Sequence, residues 1–264
     1  MLSFGAEMNS LHRMADLAEI VAFLDQELRT NSITDYPGAM NGLQLANEGR
    51  VDRIVAAVDA SLLVVEKAAA GGPGLLVVHH GMFWQGAQAV TGAFYKKLKT
   101  AIDAGLAIYS SHLPLDVHPV FGNNSLLAQR VGLSDMEPFF EQKGQYLGVK
   151  GNWSGTLAEL ANAVELAVSG KVHTCPGGAQ NVSKVGIVTG GAGSEVGKAA
   201  AEGIDAFITG EGPHWSYSLA EEIGINLLYA GHYATETFGV RAIASEVSKR
   251  FAVRAAFVDH PTGL

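Results

Sequence analysis

Residues 74–80 read GLLVVHH, an apolar run that begins at a glycine and ends on two adjacent histidines. Four consecutive apolar residues in such a run are typical of a strand that is buried on both faces of a sheet. Two imidazoles are costly to bury unless another group uses them. The stretch therefore predicts a central strand whose carboxyl end carries functional side chains.

Strands and amphipathic helices alternate on both sides of this stretch. Glycine stops and helical spacing predict helices at 62–72, 94–105 and 195–203. Apolar runs predict further strands at 53–60, 106–112, 184–193, 205–211 and 225–232. The order predicts an α/β fold with mixed sheets flanked by helices.

The second half of the chain repeats the first. EKAAAGG (66–72) aligns with GKAAAEG (197–203) without a gap, and His80 then meets Glu211. After one change of length, LAIYSSHLPLD (106–116) aligns with INLLYAGHYATE (225–236), which pairs His112 with His232 and Asp116 with Glu236. Chance similarity between βα units is the alternative, but the polar residues coincide as well as the apolar ones. We therefore expect two related α/β halves.

The repeat divides the chain into four segments. Residues 1–14 precede the first periodic helix and are interpreted as an N-terminal extension. The first α/β half spans 15–133 and the second spans 183–264. Residues 134–182 break the pattern and are interpreted as a short inserted hairpin and helix.

Composition excludes several classes of protein. The net charge of -8 disfavours nonspecific binding to nucleic acids or anionic membranes. The single cysteine, Cys175, permits no disulfide and no thiolate zinc site within one chain. No apolar stretch approaches the length of a membrane span, and the N-terminal residues lack the features of a secretory signal. A cytoplasmic location is the resulting expectation.

Histidines and carboxylates follow the predicted strands. Ligands in α/β proteins collect at the carboxyl ends of the strands, so these side chains are expected to converge. Imidazole and carboxylate ligands without thiolates suit a catalytic or labile site for Zn, Fe, Mn, Co or Ni. Two ions bridged by a carboxylate lower the pKa of a shared water. The residues concerned are His79, His80, His112, Asp116, Glu211, His232 and Glu236.

Simpler interpretations stay open for individual motifs. His232 and Glu236 have the spacing of an exposed helical pair, and Asp116 has the setting of a turn aspartate. The glycine-rich TGGAGS (189–194) is interpreted as a tight turn rather than a phosphate cradle, because it lacks the P-loop lysine. Trp84 and Trp215 are expected either to wall a pocket or to pack in the core.

Several motifs together resemble one family. NGLQ (41–44), HHGMFW (79–84), SSHLPLD (110–116), GEGPH (210–214) and GHYATE (231–236) occur in the order found in the Nif-three-like family, often labelled "GTP cyclohydrolase 1 type 2-like". The resemblance spans about residues 16–262. It implies two α/β domains with a dinuclear metal centre in the cleft between them, and a homohexamer built as a trimer of dimers.

The resemblance also assigns roles to residues. The family's ligand pattern falls on His79, His80, Asp116, His232 and Glu236, which would hold two divalent first-row metal ions per chain. His112 and Glu211 match recurrent polar positions and are assigned to orienting ligands or moving protons.

Two functions remain open from the sequence. The first is a metal-dependent hydrolase that acts on a small molecule such as a nucleotide or a related heterocycle. The second is a non-catalytic, ring-shaped metal-binding assembly or regulatory scaffold. A deep pocket beside the metal ligands favours the hydrolase, and a shallow, coordinatively saturated site favours the scaffold.

Overall fold

A computed structural model describes residues 14–264 of the chain. The extension predicted over residues 1–14 lies, except for Met14, outside the described residues. No helix between residues 14 and 264 is both long and apolar enough to cross a bilayer.

Strands and helices alternate along the described chain. The strands are β1 (Ala15–Asp16), β2 (Gly42–Leu45), β3 (Arg50–Val51), β4 (Arg53–Asp59), β5 (Gly74–His80), β6 (Leu106–Ser110), β7 (Ser134–Gln142), β8 (Gln145–Thr156), β9 (His173–Pro176), β10 (Asn181–Ile187), β11 (Ala206–Thr209), β12 (Asn226–Tyr229) and β13 (Arg254–Phe257). The α-helices are α1 (Leu17–Glu27), α2 (Leu62–Ala69), α3 (Gly92–Asp103), α4 (Leu113–Asp116), α5 (Asn123–Val131), α6 (Leu157–Val168), α7 (Val196–Ala201), α8 (Trp215–Ile223), α9 (His232–Thr235) and α10 (Thr237–Phe251).

The first sheet has the strand order β13-β4-β5-β6-β2. Strands β13, β4, β5 and β6 are parallel, and β2 is antiparallel to β6. Alternate residues of β4 pack into two cores: Ile54 and Ala56 on the α1 face, Val55 and Ala57 on the α2 and α3 face. Because successive side chains point to opposite faces, a strand covered on both faces must be apolar throughout.

The second sheet has the strand order β7-β8-β10-β11-β12-β9. Strands β10, β11 and β12 are parallel, whereas β7, β8 and β9 pair antiparallel with their neighbours. Val185 and Ile187 pack against α6, and Phe207 and Leu227 pack on the opposite face with α7 and α8. The predicted α/β fold, with mixed sheets flanked by helices, is confirmed.

The repeat extends further than the aligned motifs. Strands β4, β5 and β6 correspond to β10, β11 and β12, and an antiparallel strand follows outside each set, β2 in one sheet and β9 in the other. Helix α1 precedes β2 as α6 precedes β9. Within 134–182 the predicted hairpin is β7 and β8, which extend the second sheet, while α6 and β9 belong to the second repeat. The boundaries at 134 and 183 stay a prediction.

One helix of each half packs on the sheet of the other half. Helix α5 belongs to the first repeat, but Leu127 and Val131 lie in the core of the second sheet. Helix α10 belongs to the second repeat, but Val240 and Ile243 lie in the core of the first sheet. The exchange places α4 and α9, which precede these helices, between the two sheets.

A buried asparagine at the start of α5 connects the halves. The Asn124 side-chain amide donates to the carbonyls of Asp116 (3.0 Å) and Leu147 (2.9 Å). Its oxygen accepts a hydrogen bond from the amide of Thr189 at 2.9 Å. Asn124 is only 1% exposed, so no solvent can replace these partners.

Replacing Asn124 with Ala leaves two carbonyls and one amide unpaired in a buried position. We expect this change to lower the free energy of unfolding by about 2–4 kcal/mol, measured by urea denaturation with a metal chelator present. Asn152→Ala, at an exposed position on β8, is the control and should cost less than about 0.5 kcal/mol. Equal losses for the two variants would contradict this role.

Candidate metal centre

Three strand ends bring the candidate ligands together. His79 and His80 are the last residues of β5, and Asp116 ends α4, which follows β6. His232 and Glu236 bracket α9, which follows β12. Because β5 and β6 belong to the first sheet and β12 to the second, the cluster lies where the carboxyl ends of the two sheets meet.

The Glu236 carboxylate lies at the centre of the cluster. Its Oε1 is 3.4 Å from His79 Nε2 and 3.1 Å from His232 Nε2. Its Oε2 is 3.3 Å from His80 Nε2. One carboxylate therefore faces three imidazoles, and each of its oxygens faces a different part of the cluster.

Hydrogen bonds orient each of these imidazoles. His79 Nδ1 donates to the Ser111 carbonyl at 2.9 Å, which turns Nε2 toward the carboxylates of Asp116 and Glu236. His80 Nδ1 is 2.8 Å from Asp59 Oδ1, and His232 Nδ1 is 2.7 Å from Glu211 Oε1. Metal-binding histidines in proteins are held in this way.

His112 is held in the same manner by the loop that follows α1. Its Nδ1 is 2.9 Å from Asp35 Oδ1. Burial by itself would raise the pKa of Asp35, but hydrogen bonds from His112, Asn41 and the Tyr36 amide outweigh burial and lower it. The ionised Asp35 accepts a hydrogen bond from Nδ1 and so fixes the His112 ring beside His79 and His80.

Asp116 presents a single oxygen to the cluster. Its Oδ1 accepts hydrogen bonds from Asn123 Nδ2 (2.8 Å) and Thr189 Oγ1 (3.3 Å). Its Oδ2 lies 3.5 Å from His79 Nε2. Asn123 in turn accepts from the Gly239 amide at the start of α10, so both exchanged helices position this carboxylate.

Two buried atoms of the cluster lack hydrogen-bond partners within the described chain. They are His79 Nε2 and Glu236 Oε2. Buried polar atoms are nearly always satisfied, and both of these atoms are good metal ligands. The donor set thus fits a metal ion.

Charge in the cluster favours a cation. When no metal ion is bound, burial would lower the pKa of His79, but Asp116 and Glu236 outweigh burial and raise it well above its ordinary value. Burial also opposes charge on His232, but Glu236 and Glu211 raise its pKa to about 9. Burial would raise the pKa of Glu236, but the neighbouring histidines lower it.

Two overlapping groups of side chains can each hold a metal ion. One consists of His79, His80 and His112, and the other of His80, His232 and Glu236. Within each group the ligand atoms lie within 4.8 Å of one another. These groups include four of the sequence-predicted ligands and also His112, and Asp116 lies beside them, with its Oδ2 3.5 Å from His79 Nε2.

Glu211 occupies a different position from His112. It contacts His232 from the side away from Glu236 and lines a small cavity with Asp59 and the C-terminal residue Leu264. Its position makes Glu211 an orienting partner of His232. The other orienting residues, Asp35, Asp59, Asn123 and Thr189, were not predicted from the sequence, since they contact the cluster only through the tertiary fold.

The glycine-rich segment 189–194 forms a turn against Glu236. Gly190 has a φ of +73°, a conformation that favours glycine. A Cβ atom at Gly190 would overlap Glu236 Oε1. At Gly191 a Cβ would meet His232 Cε1 at 3.6 Å, an ordinary contact.

The sequence model of the Duf34/NIF3 (NGG1p interacting factor 3) family matches residues 15–262. The chain belongs to this family. A Deinococcus radiodurans protein named GTP cyclohydrolase 1 type 2 homolog is 38% identical over 248 residues, covering 93% of this chain and 94% of that protein. A Pyrococcus abyssi protein of the same name is 40% identical over 252 residues, covering 93% and 98%. The crystal structure of TTHA1606 from Thermus thermophilus matches with a TM-score of 0.87 and 35% identity, covering 95% of this chain and 100% of that one.

In this Duf34/NIF3 protein a cavity of about 620 Å³ opens onto the cluster. His80, His112, Asp116, His232 and Glu236 line it. Trp84 also lines the cavity, as expected, with its ring centre 4.9 Å from that of His112. Trp215 does not; it lies half exposed at the start of α8, neither in the pocket nor in the core.

Gly190→Ala should weaken metal binding about 10- to 100-fold, because the new methyl group displaces the Glu236 carboxylate. Gly191→Ala is the matched control on the neighbouring residue and should leave metal affinity within about threefold, since its Cβ has room. Competition against a chromogenic chelator measures both affinities. Equal affinities for the two variants would show that Glu236 does not bind the metal.

Proposed function

We propose that this Duf34/NIF3 protein is a metal-dependent hydrolase with two divalent first-row metal ions per chain. The observation that carries the proposal is the pair of buried atoms His79 Nε2 and Glu236 Oε2, which form no hydrogen bond with any residue of the described range 14–264 and lie beside a cavity large enough for a small molecule. A purely structural polar cluster would satisfy these atoms within the protein.

The proposed ligands are His79, His80, Asp116, His232 and Glu236. Glu236 contacts three of the imidazoles, so its carboxylate would be a shared ligand among them. Bound ions would supply Lewis acidity that lowers the pKa of a water molecule and provides a nucleophile near neutral pH. Zn, Fe, Mn, Co and Ni all suit these nitrogen and oxygen ligands.

His112 is the proposed proton-transfer residue. It lines the cavity, and Asp35 holds its ring so that Nε2 is free to accept a proton. Glu211 is proposed to act indirectly, by holding His232.

The substrate is proposed to be a small molecule such as a nucleotide or a related heterocycle. The curated relatives share the name GTP cyclohydrolase 1 type 2 homolog, which supports a hydrolytic ring opening. The open cavity beside the ligands supports catalysis over a scaffold role, for which a closed, saturated site would be expected. A cytoplasmic homohexamer, as a trimer of dimers, remains part of the proposal.

Three variants separate metal binding from catalysis. We expect His79→Ala to lose metal, and His112→Gln to keep its metal but hydrolyse its substrate about 100-fold more slowly. Glu211→Gln should bind metal about tenfold more weakly, because a neutral amide accepts a weaker hydrogen bond from His232 than the carboxylate does. His173→Ala, at an exposed position on β9, is the control. Metal content is measured by plasma mass spectrometry and product formation by chromatography, starting with GTP and guanosine.

Two outcomes would contradict these assignments. If His112→Gln lost metal as fully as His79→Ala, His112 would be a ligand rather than a proton-transfer residue. If metal-loaded protein hydrolysed no compound in a broad screen of nucleotides, nucleosides and pterins, the hydrolase proposal would fail.

A further inference from the structure

Apolar side chains from both sheets form part of the cavity wall. Tyr36 and Trp84 contribute aromatic rings from the first half, and their centres lie 6.1 and 4.9 Å from that of His112. Phe140 and Leu147 from the β7–β8 hairpin line the cavity from the second half. Aromatic and aliphatic walls of this kind suit a flat ring more than a flexible or strongly hydrated group.

No lysine or arginine among residues 14–264 lines this cavity. The ionisable residues that line it besides the histidines are acidic: Asp59, Asp116, Glu195 and Glu236. Glu195 forms an ion pair with Lys198, which lies outside the lining and is largely exposed. Sites that recognise polyphosphates place arginine or lysine against the phosphate oxygens, and this cavity has neither.

Metal ions would not reverse this charge balance. Behind the two carboxylate ligands lie three further carboxylates, each hydrogen-bonded to an imidazole of the cluster: Asp35, Asp59 and Glu211. Five carboxylates thus face the four positive charges of two divalent ions. A triphosphate with about four negative charges would enter a site with no surplus of positive charge.

The glycine-rich turn is not free to bind phosphate either. A phosphate cradle needs backbone amides that point at the ligand. The amides of Thr189, Gly190, Ala192 and Gly193 instead donate within the protein, to side-chain oxygens of Asn124, Thr235 and Thr209 and to the Glu211 carbonyl. The segment is rich in glycine, as a phosphate cradle is, but most of its backbone amides already donate hydrogen bonds within the protein.

Several polar groups in the lining remain available to a ligand, and the largest flexible ones are on Gln142 and Tyr36. The side chains of Gln142 and Tyr36 form no hydrogen bonds with other described residues, and both line the cavity. An amide and a phenol offer donors and acceptors to the edge of a ring that lies between the apolar walls.

We propose that the substrate is a planar heterocycle that carries no phosphate, recognised by Trp84 and Tyr36 through its face and by Gln142 through its edge. The inference rests on the proposed hydrolase function and specifies its substrate class. The relatives are named after GTP; the inference places a ring like the guanine of GTP in this cavity, but no triphosphate.

Equilibrium dialysis of the metal-loaded protein against guanosine, GMP and GTP tests the proposal, with metal content measured again after each dialysis. Guanosine should bind, and affinity should not rise by more than about threefold from guanosine to GTP, because the added phosphates gain no ion pair. Trp84→Ala should weaken guanosine binding roughly tenfold. Trp215→Ala, which removes a tryptophan outside the cavity, should leave guanosine binding unchanged.

An added cation supplies a second test. Ser194 lines the cavity and is exposed, and Ser194→Lys should raise GTP affinity about fivefold or more without changing guanosine affinity. Ser194→Gln is the uncharged control of similar reach. If Ser194→Lys left GTP affinity unchanged, charge would not limit GTP binding and the proposal would be overturned.

Other outcomes overturn the proposal directly. GTP binding more than about tenfold tighter than guanosine would show that the site recognises phosphate. Failure of guanosine, adenosine and a pterin to bind at millimolar concentration would equally exclude the proposed class. If unphosphorylated rings bind but are not hydrolysed, the hydrolase function is refuted and the substrate-class inference stands. If only phosphorylated compounds are hydrolysed, the hydrolase function stands and the inference is refuted.

Discussion

Two carboxylates are buried at the meeting point of the sheets, and imidazoles are the basic side chains that face them. Glu236 is 2% exposed and Asp116 is 6% exposed. Among the described residues, no lysine or arginine forms an ion pair with either of them. A buried carboxylate costs several kcal/mol unless it is paired, and here hydrogen bonds at Nδ1 turn the Nε2 atoms of the imidazoles toward the carboxylates. A metal cation would satisfy both sets of groups, and much of the fold serves to hold them in place.

The exchange of helices is what makes this arrangement possible. In each repeat a histidine and a carboxylate lie at the two ends of a short helix, and the helix that follows packs on the other sheet. Asp116 and Glu236 therefore approach each other from opposite halves. Asn123 on α5 connects the two halves: its side-chain amide donates to Asp116, and its side-chain oxygen accepts from the Gly239 amide on α10. Contacts that hold the halves together also position the ligands, so folding and site formation are coupled.

The sequence predicts the central strands well, for a physical reason, and the same pattern puts the candidate ligands at the strand ends. Strands covered on both faces are continuous apolar runs, so GLLVVHH coincides with β5 and its histidines fall at a sheet edge. The hydrogen bond between Asp35 and His112 could not be predicted, because 77 residues separate the partners. The exchange of α5 and α10 between the sheets could not be predicted either. An amphipathic pattern shows that a helix packs on a sheet, but it does not show on which sheet. Trp215 illustrates the same limit: its place next to a motif did not bring it into the cavity.

Metal content is the measurement that tests the central claim most directly. Protein purified without added metal or an affinity tag is analysed by plasma mass spectrometry, beside a His79→Ala/Glu236→Ala double variant shown by circular dichroism to be folded. We predict about two equivalents of first-row metal per chain in the native protein and a small fraction of that in the variant. Native protein that holds no metal, and takes up no Zn, Mn or Fe when these are supplied, would contradict the account. Equal metal content in the native protein and the folded double variant would contradict it as well.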